Sequence, residues 1–218
     1  MEQPVKDATC KLTPLGVMVL ALLREGDMHP YEMIRLMRTR HHDRLVPITN
    51  GTFYHTVSRL ERQGLLAEVG VDRDGKRPER TTYALTDDGE HAVAEWVRTE
   101  LPRMDRPIEF RVALAESHNI DREEVIDLLT QRRAALTGEH RLFADGVAKA
   151  RERGVPEQYL VQTSRQAELL AADLAWLDDF LLTLEECRYP WGVHVDSAEA
   201  ADLAEQAATA AVSDSQNV

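Results

Sequence analysis

From Thr49 to Leu66 the chain reads TNGTFYHTVSRLERQGLL, and its apolar and polar positions repeat with a helical period. Phe53, Val57 and Leu60 fall on one face. Thr52, His55, Thr56, Arg59 and Gln63 follow the i, i+3, i+4, i+7, i+11 spacing of another. The pattern predicts a helix docked on a core by one side, with a polar stripe on the other. Thr49 or Asn50 suits its N-cap, and Gly64 its stop.

Two more helices are predicted ahead of it. Residues 13–25, TPLGVMVLALLRE, are apolar nearly all round, with Thr13 as cap and Pro14 at the first helical position. They should form a buried helix ending near Gly26. Residues 29–40, HPYEMIRLMRTR, put Tyr31, Ile34 and Met37, with Met33 beside them, on an apolar face and turn Arg35 and Arg38 away from it. After Gly64 the period shortens to two. Leu65, Ala67, Val69 and Val71 alternate with less apolar residues, as do Thr81, Tyr83 and Leu85. Between them DRDGKRPER carries an Asp74-Gly75 turn signal and four cations, Arg73, Lys76, Arg77 and Arg80. The helical period returns after Thr86, with Asp87 and Asp88 in the first turn and Val93, Trp96, Val97 and Leu101 along one side.

Three helices and a two-stranded hairpin in about 75 residues are the plan of a winged helix-turn-helix. In that plan the third helix offers its polar stripe to the major groove, and the basic hairpin loop reaches the backbone or minor groove. The second half differs. Asp121 and Glu124 have the spacing of a capping box, and Val125, Leu129, Leu136, Phe143 and Val147 mark a long helix to about Arg153. Beyond Gly154 and Pro156, Leu170, Leu174, Leu177, Leu181 and Leu184 recur at steps of 4, 3, 4 and 3 beside Trp176 and Phe180. That seam predicts a coiled-coil-like helix whose leucines form a dimer interface. The expected class is therefore mainly α with a small β-hairpin. Its parts are a winged helix-turn-helix over 12–102, a helical dimerisation domain over 107–190, and a small, polar, disordered tail over 197–218.

The net charge of −12 argues against nucleic acid until its distribution is read. Up to Arg106 there are 16 Lys and Arg against 17 Asp and Glu; beyond it, 10 against 21. Between Met28 and Tyr83 the balance is 10 basic to 7 acidic, so the local surface can meet phosphates. Cys10 and Cys187 are far apart, which excludes a disulfide framework or a CxxC zinc site and fits a reducing compartment. The start, MEQPVKDATCKL, has no signal-peptide core, and the longest apolar run, LGVMVLALL, is too short to span a bilayer. A soluble, cytoplasmic protein without membrane association is expected.

LTPLGVMVLALLREGDMHPYEMIRLM, NGTFYHTVSRLERQGLL and RTTYALTDDGEHAVAEW, taken in this order, resemble the PadR family of transcriptional regulators. The likeness covers about residues 12–102. A weaker echo in EFRVALAESH and LLAADLAWLDDFL is similar to the subfamily with a longer C-terminal helical domain. The resemblance implies a homodimeric repressor of an operator in double-stranded DNA, released by a small molecule or stress signal. It implies contacts from Thr52, Tyr54, His55 and Arg59 on the recognition helix, with Asn50 at its start. His29 and Tyr31 would touch phosphates, and Lys76, Arg77 and Arg80 would form the wing. Pro30 and His55 depart from the family pattern, which more often has Gly and Pro there. Trp96, Trp176 and Phe180 either pack a helical core or border an effector pocket.

No G-x-S-x-G, phosphate-cradling glycine loop or H-E-x-x-H occurs, so no enzyme is expected. His41-His42 lacks further ligands for a metal, and no cofactor is expected. Two other readings share the pattern. A MarR-like regulator would draw its dimer helices from both ends of the chain, but here the long helices are C-terminal. A winged-helix protein-interaction module would not need a wing with four cations.

Overall fold

The structure, a computed structural model, describes residues 12–72, 80–188 and 190–192. It forms two compact units that divide between Trp96 and Val97, within a single helix and a few residues before the expected boundary at 102. The tail expected over 197–218 lies outside the described residues.

In the first unit α1 spans Pro14–Leu22, α2 Pro30–Thr39 and α3 Asn50–Arg62. Each begins where its local chemistry favours it. The Thr13 hydroxyl accepts the Gly16 N–H, and His29 Nδ1 accepts the Tyr31 N–H. Thr49 and Thr52 exchange side-chain and backbone hydrogen bonds in a capping box. α1 is buried nearly all round, and Phe53, Val57 and Leu60 of α3 are at most 2 % exposed beside Met33, Ile34 and Met37 of α2. α3 ends with Gly64 at φ +75°, a conformation that suits glycine. The α2–α3 connection holds a 3-10 turn, His42–Arg44, entered through His41 at φ 55°.

The hairpin strands are β1, Leu66–Asp72, and β2, Arg80–Leu85, paired antiparallel. Their register corrects the alternation expected from the sequence. Glu68 pairs Tyr83 and Gly70 pairs Thr82, so Val69 is the extra residue of a β-bulge and is 53 % exposed. Ala67 is exposed too, and it is Leu65 and Leu66 that are buried. The other edge of β2 bridges Met28, just ahead of α2, through Met28 N–H to Tyr83 C=O and Tyr83 N–H to Met28 C=O.

α4, Asp87–Glu100, follows at once and buries Val93, Trp96 and Val97. Its start is clamped to the α3–β1 turn. The Thr86 hydroxyl donates to the Gly64 carbonyl and accepts the Gly89 N–H. Gly89 is required there, because an added Cβ would stand 2.0 Å from the Leu65 carbonyl oxygen.

The second unit contains α5, Pro107–Ala115, then α6, Arg122–Glu152, and α7, Val161–Glu185. α6 and α7 pack along each other. The Arg133–Asp178 pair mid-length and the Arg151–Glu157 pair near the turn show that they run antiparallel. The expected capping box at Asp121 does not form: its side chain makes no cap hydrogen bond. Glu124 instead binds Arg98 through both oxygens, at 2.6 and 3.0 Å. That guanidinium holds the Glu124 carboxyl below its ordinary range.

The leucine seam is the larger correction. Leu170, Leu177, Leu181 and Leu184 are already buried in one chain, on the helix that lies along α6, and Leu174 is half-buried. A 31-residue helix at its side satisfies the seam intramolecularly, so these leucines have almost no surface left for a second copy. Arg132 occupies a seam position of α6. Its guanidinium lies 3.4 Å from the centroid of the Phe110 ring of α5 and donates to the Arg103 carbonyl. Burial lowers its pKa, partly offset by Asp173.

Candidate nucleic-acid interface

Packing decides which part of α3 remains available. With Phe53, Val57 and Leu60 buried, Asn50, Thr52, Tyr54, His55, Ser58 and Arg62 are exposed. The stripe read from spacing survives only in part. Thr56 is 7 % exposed and its hydroxyl bonds back to the Thr52 carbonyl at 2.8 Å. Arg59 is half-buried: its Nη2 donates to the Thr13 hydroxyl at 3.0 Å, and its buried Nε has no partner. A guanidinium held in this way seats α3 on the start of α1. Thr13 was read only as a helix cap, and sequence spacing gives no sign of this second contact.

The expected contacts therefore differ in what they can offer. The Thr52 hydroxyl is engaged by Thr49, which leaves its methyl as the free part of the side chain. Tyr54 is 44 % exposed, and His55, also exposed, makes no hydrogen bond among the described residues. Asn50 accepts from Arg38 Nη2 at 3.3 Å across the α2–α3 junction. His29 caps α2 through Nδ1, which requires its Nε2–H tautomer. Pro30 at the next position is buried, and Tyr31 is 65 % exposed. Lys76 and Arg77 lie outside the described residues, as does the side chain of Arg80.

Trp96 and the aromatic pair of α7 have different settings. Trp96 is buried, and its indole N–H donates to the Leu12 carbonyl at 3.2 Å. Trp176 and Phe180 stack with ring centroids 5.2 Å apart, and Trp176 is 46 % exposed. His42, in the α2–α3 turn, is held below its ordinary pKa by burial first and by the neighbouring Arg40 second. Among the described residues no group of three or more His, Cys, Asp or Glu could hold a metal. Nor is any described helix long and apolar enough to cross a membrane.

Residues 19–95 match the model of the transcriptional regulator PadR-like family. No curated protein matches the chain. Among solved structures, PadR of Bacillus subtilis in complex with operator DNA is similar at 19 % identity and a TM-score of 0.39, over 79 % of this chain and 99 % of that one. For smu.1604c from Streptococcus mutans UA159 the values are 18 % and 0.36, over 78 % and 96 %. For Bacillus subtilis PadR in complex with p-coumaric acid they are 18 % and 0.34, over 79 % and 99 %. The matched segment runs from within α1, through the α3 stripe and the hairpin, into α4. Through this winged head the chain belongs to the PadR-like family, a family of transcriptional regulators and not of enzymes.

Proposed function

We propose that this protein is a homodimeric repressor that holds a pseudo-palindromic operator and leaves it when a small molecule binds. The observation that carries the reading is α3: its apolar face is completely buried, while Tyr54, His55 and the start of the helix stand exposed. Base contacts come from Thr52, Tyr54 and His55. His29, Tyr31 and Asn50, with Lys76, Arg77 and Arg80 of the hairpin, meet the backbone. Arg59 belongs to this set as the residue that seats α3.

One head reads one half-site, so a second copy is needed, and half-site centres should lie roughly 10 bp apart. The seam leucines being buried, the copy is placed on another side of α6–α7. Leu142, Leu169 and Trp176 are 71, 44 and 46 % exposed. Helical spacing puts them, with Phe180, on the side opposite the Arg133–Asp178 pair. A planar aromatic effector stacking on Trp176 and Phe180 would then act where the two copies meet. Trp96, buried with its N–H satisfied, serves packing in this scheme.

The test is selection of duplexes from random sequence by the full-length protein, followed by sedimentation with and without the selected DNA. A dimer bound to a two-fold-related site is expected, and Trp176→Glu should give monomers that bind weakly. A stable dimer from that variant would remove the proposed face, and failure to enrich any sequence would remove the operator.

A further inference from the structure

The exposed face of α2 carries a stripe of its own. Tyr31, Arg35 and Arg38 follow i, i+4, i+7 spacing, and all three are exposed. Among the described residues neither arginine has a carboxylate partner, whereas nearby Arg24 pairs Glu90 at 2.5 Å and Arg40 binds both oxygens of Glu25 at 2.5 and 2.7 Å. At the far end of the stripe Arg38 Nη2 reaches the Asn50 side-chain oxygen, joining the last turn of α2 to the first residue of α3. With that oxygen facing a guanidinium, the amide keeps chiefly its NH2 for another partner, and the rest of Arg38 is donor only. What this junction offers outward is therefore mainly donors and positive charge. Such a surface matches the anionic oxygens of a phosphodiester better than a base edge, which mixes donors with acceptors.

We propose that Arg35 and Arg38, continuing Tyr31 and ending on Asn50, form a phosphate-binding stripe that fixes the register of α3 on DNA without reading bases. It rests on the reading of the head as a DNA-binding module. In a helix-turn-helix the helix ahead of the recognition helix crosses the backbone. The Arg38–Asn50 bond then ties the position of a bound phosphate to the first turn of α3. Both arginines are positioning residues.

The experiment uses a duplex selected by the wild-type full-length chain and measures its affinity by fluorescence anisotropy across a salt series. Arg35→Gln and Arg38→Gln are compared with Arg151→Gln, which removes an equal charge from the second unit, where Arg151 pairs Glu157. Each α2 variant should flatten the slope of log K against log salt by about 0.9. Its loss in affinity should be the same factor on duplexes carrying single base changes. Arg151→Gln should leave the slope unchanged. An unchanged slope in both α2 variants overturns the proposal, as does a loss that depends on base sequence. Melting curves that match wild type separate a lost contact from unfolding, since neither arginine has a carboxylate partner to lose. If the wild type selects no duplex, the DNA reading fails and the stripe with it. A wild type that selects one while the variants keep its slope removes the stripe alone.

Discussion

The arginines of the two units are treated in opposite ways. In the second unit Arg98, Arg103, Arg106, Arg133, Arg151 and Arg188 all lie against carboxylates, and Arg106 reaches two, Glu100 at 2.5 Å and Glu109 at 2.7 Å. On the outer face of α2 and α3, Arg35, Arg38 and Arg62 have no such partner among the described residues. A chain of net charge −12 therefore still presents a cationic face, because its acidic excess is placed where arginines are already neutralised. Global charge is a poor guide to what a surface can bind; pairing is a better one.

The division between the units can be tested most strongly through their cores. Leu177→Ala should cost about 2–5 kcal/mol, since the side chain is 1 % exposed. Hydrogen exchange should show the loss in α6 and α7 while α3 amides stay protected. If α3 loses protection equally, the units do not behave as separate bodies. Gly89→Ala acts on the first unit. A methyl 2.0 Å from the Leu65 carbonyl must push α4 off the α3–β1 turn, for about 1–3 kcal/mol. Denaturant titration should show that cost, and an unchanged midpoint would mean the close approach relaxes freely.

Thr49→Ala removes half of the capping box and should cost about 1 kcal/mol. The DNA affinity should fall with it, because the frayed turn holds Asn50 and Thr52. Acidity should separate the units more gently. The His42 imidazole, kept neutral in the fold by burial and by Arg40, takes up a proton in the unfolded chain below about pH 6.5. The unfolded state then binds more protons, so stability of the first unit falls as pH drops from there through the depressed folded pKa. His42→Gln should flatten that dependence in melts across pH 5–8; an unaltered profile would assign it to another group. The smallest effect is expected from Arg133→Ala. It breaks an exposed ion pair and should leave both the melting curve and the DNA salt slope as they are.

Much of this fold was legible because period and punctuation agreed. Thr49, the Phe53–Val57–Leu60 face and Gly64 each pointed to the same helix, and α3 has those limits. The strand faces were not legible, since a bulge at Val69 breaks a period-two reading without leaving a distinctive residue type. The leucines of α7 announced a seam but not its owner: heptad spacing is the same whether the partner helix belongs to another chain or to this one. Arg132 hid the matching seam of α6 by placing a charge where an apolar residue was expected, sheltered by Phe110 of a helix that the pattern left indistinct. At the interface, spacing grouped Arg59 with the outward residues because it has no knowledge of the Thr13 hydroxyl that draws the guanidinium inward.

A paired strand ordinarily changes length two residues at a time, because a change of one turns every later side chain to the opposite face. Val69 stands outside the pairing, between Glu68 opposite Tyr83 and Gly70 opposite Thr82. Deleting one residue here would leave every pair beyond it as it is and would alter the local twist alone. The hairpin thus has one position at which descendants of this gene can drift in length by a single codon without re-registering the wing.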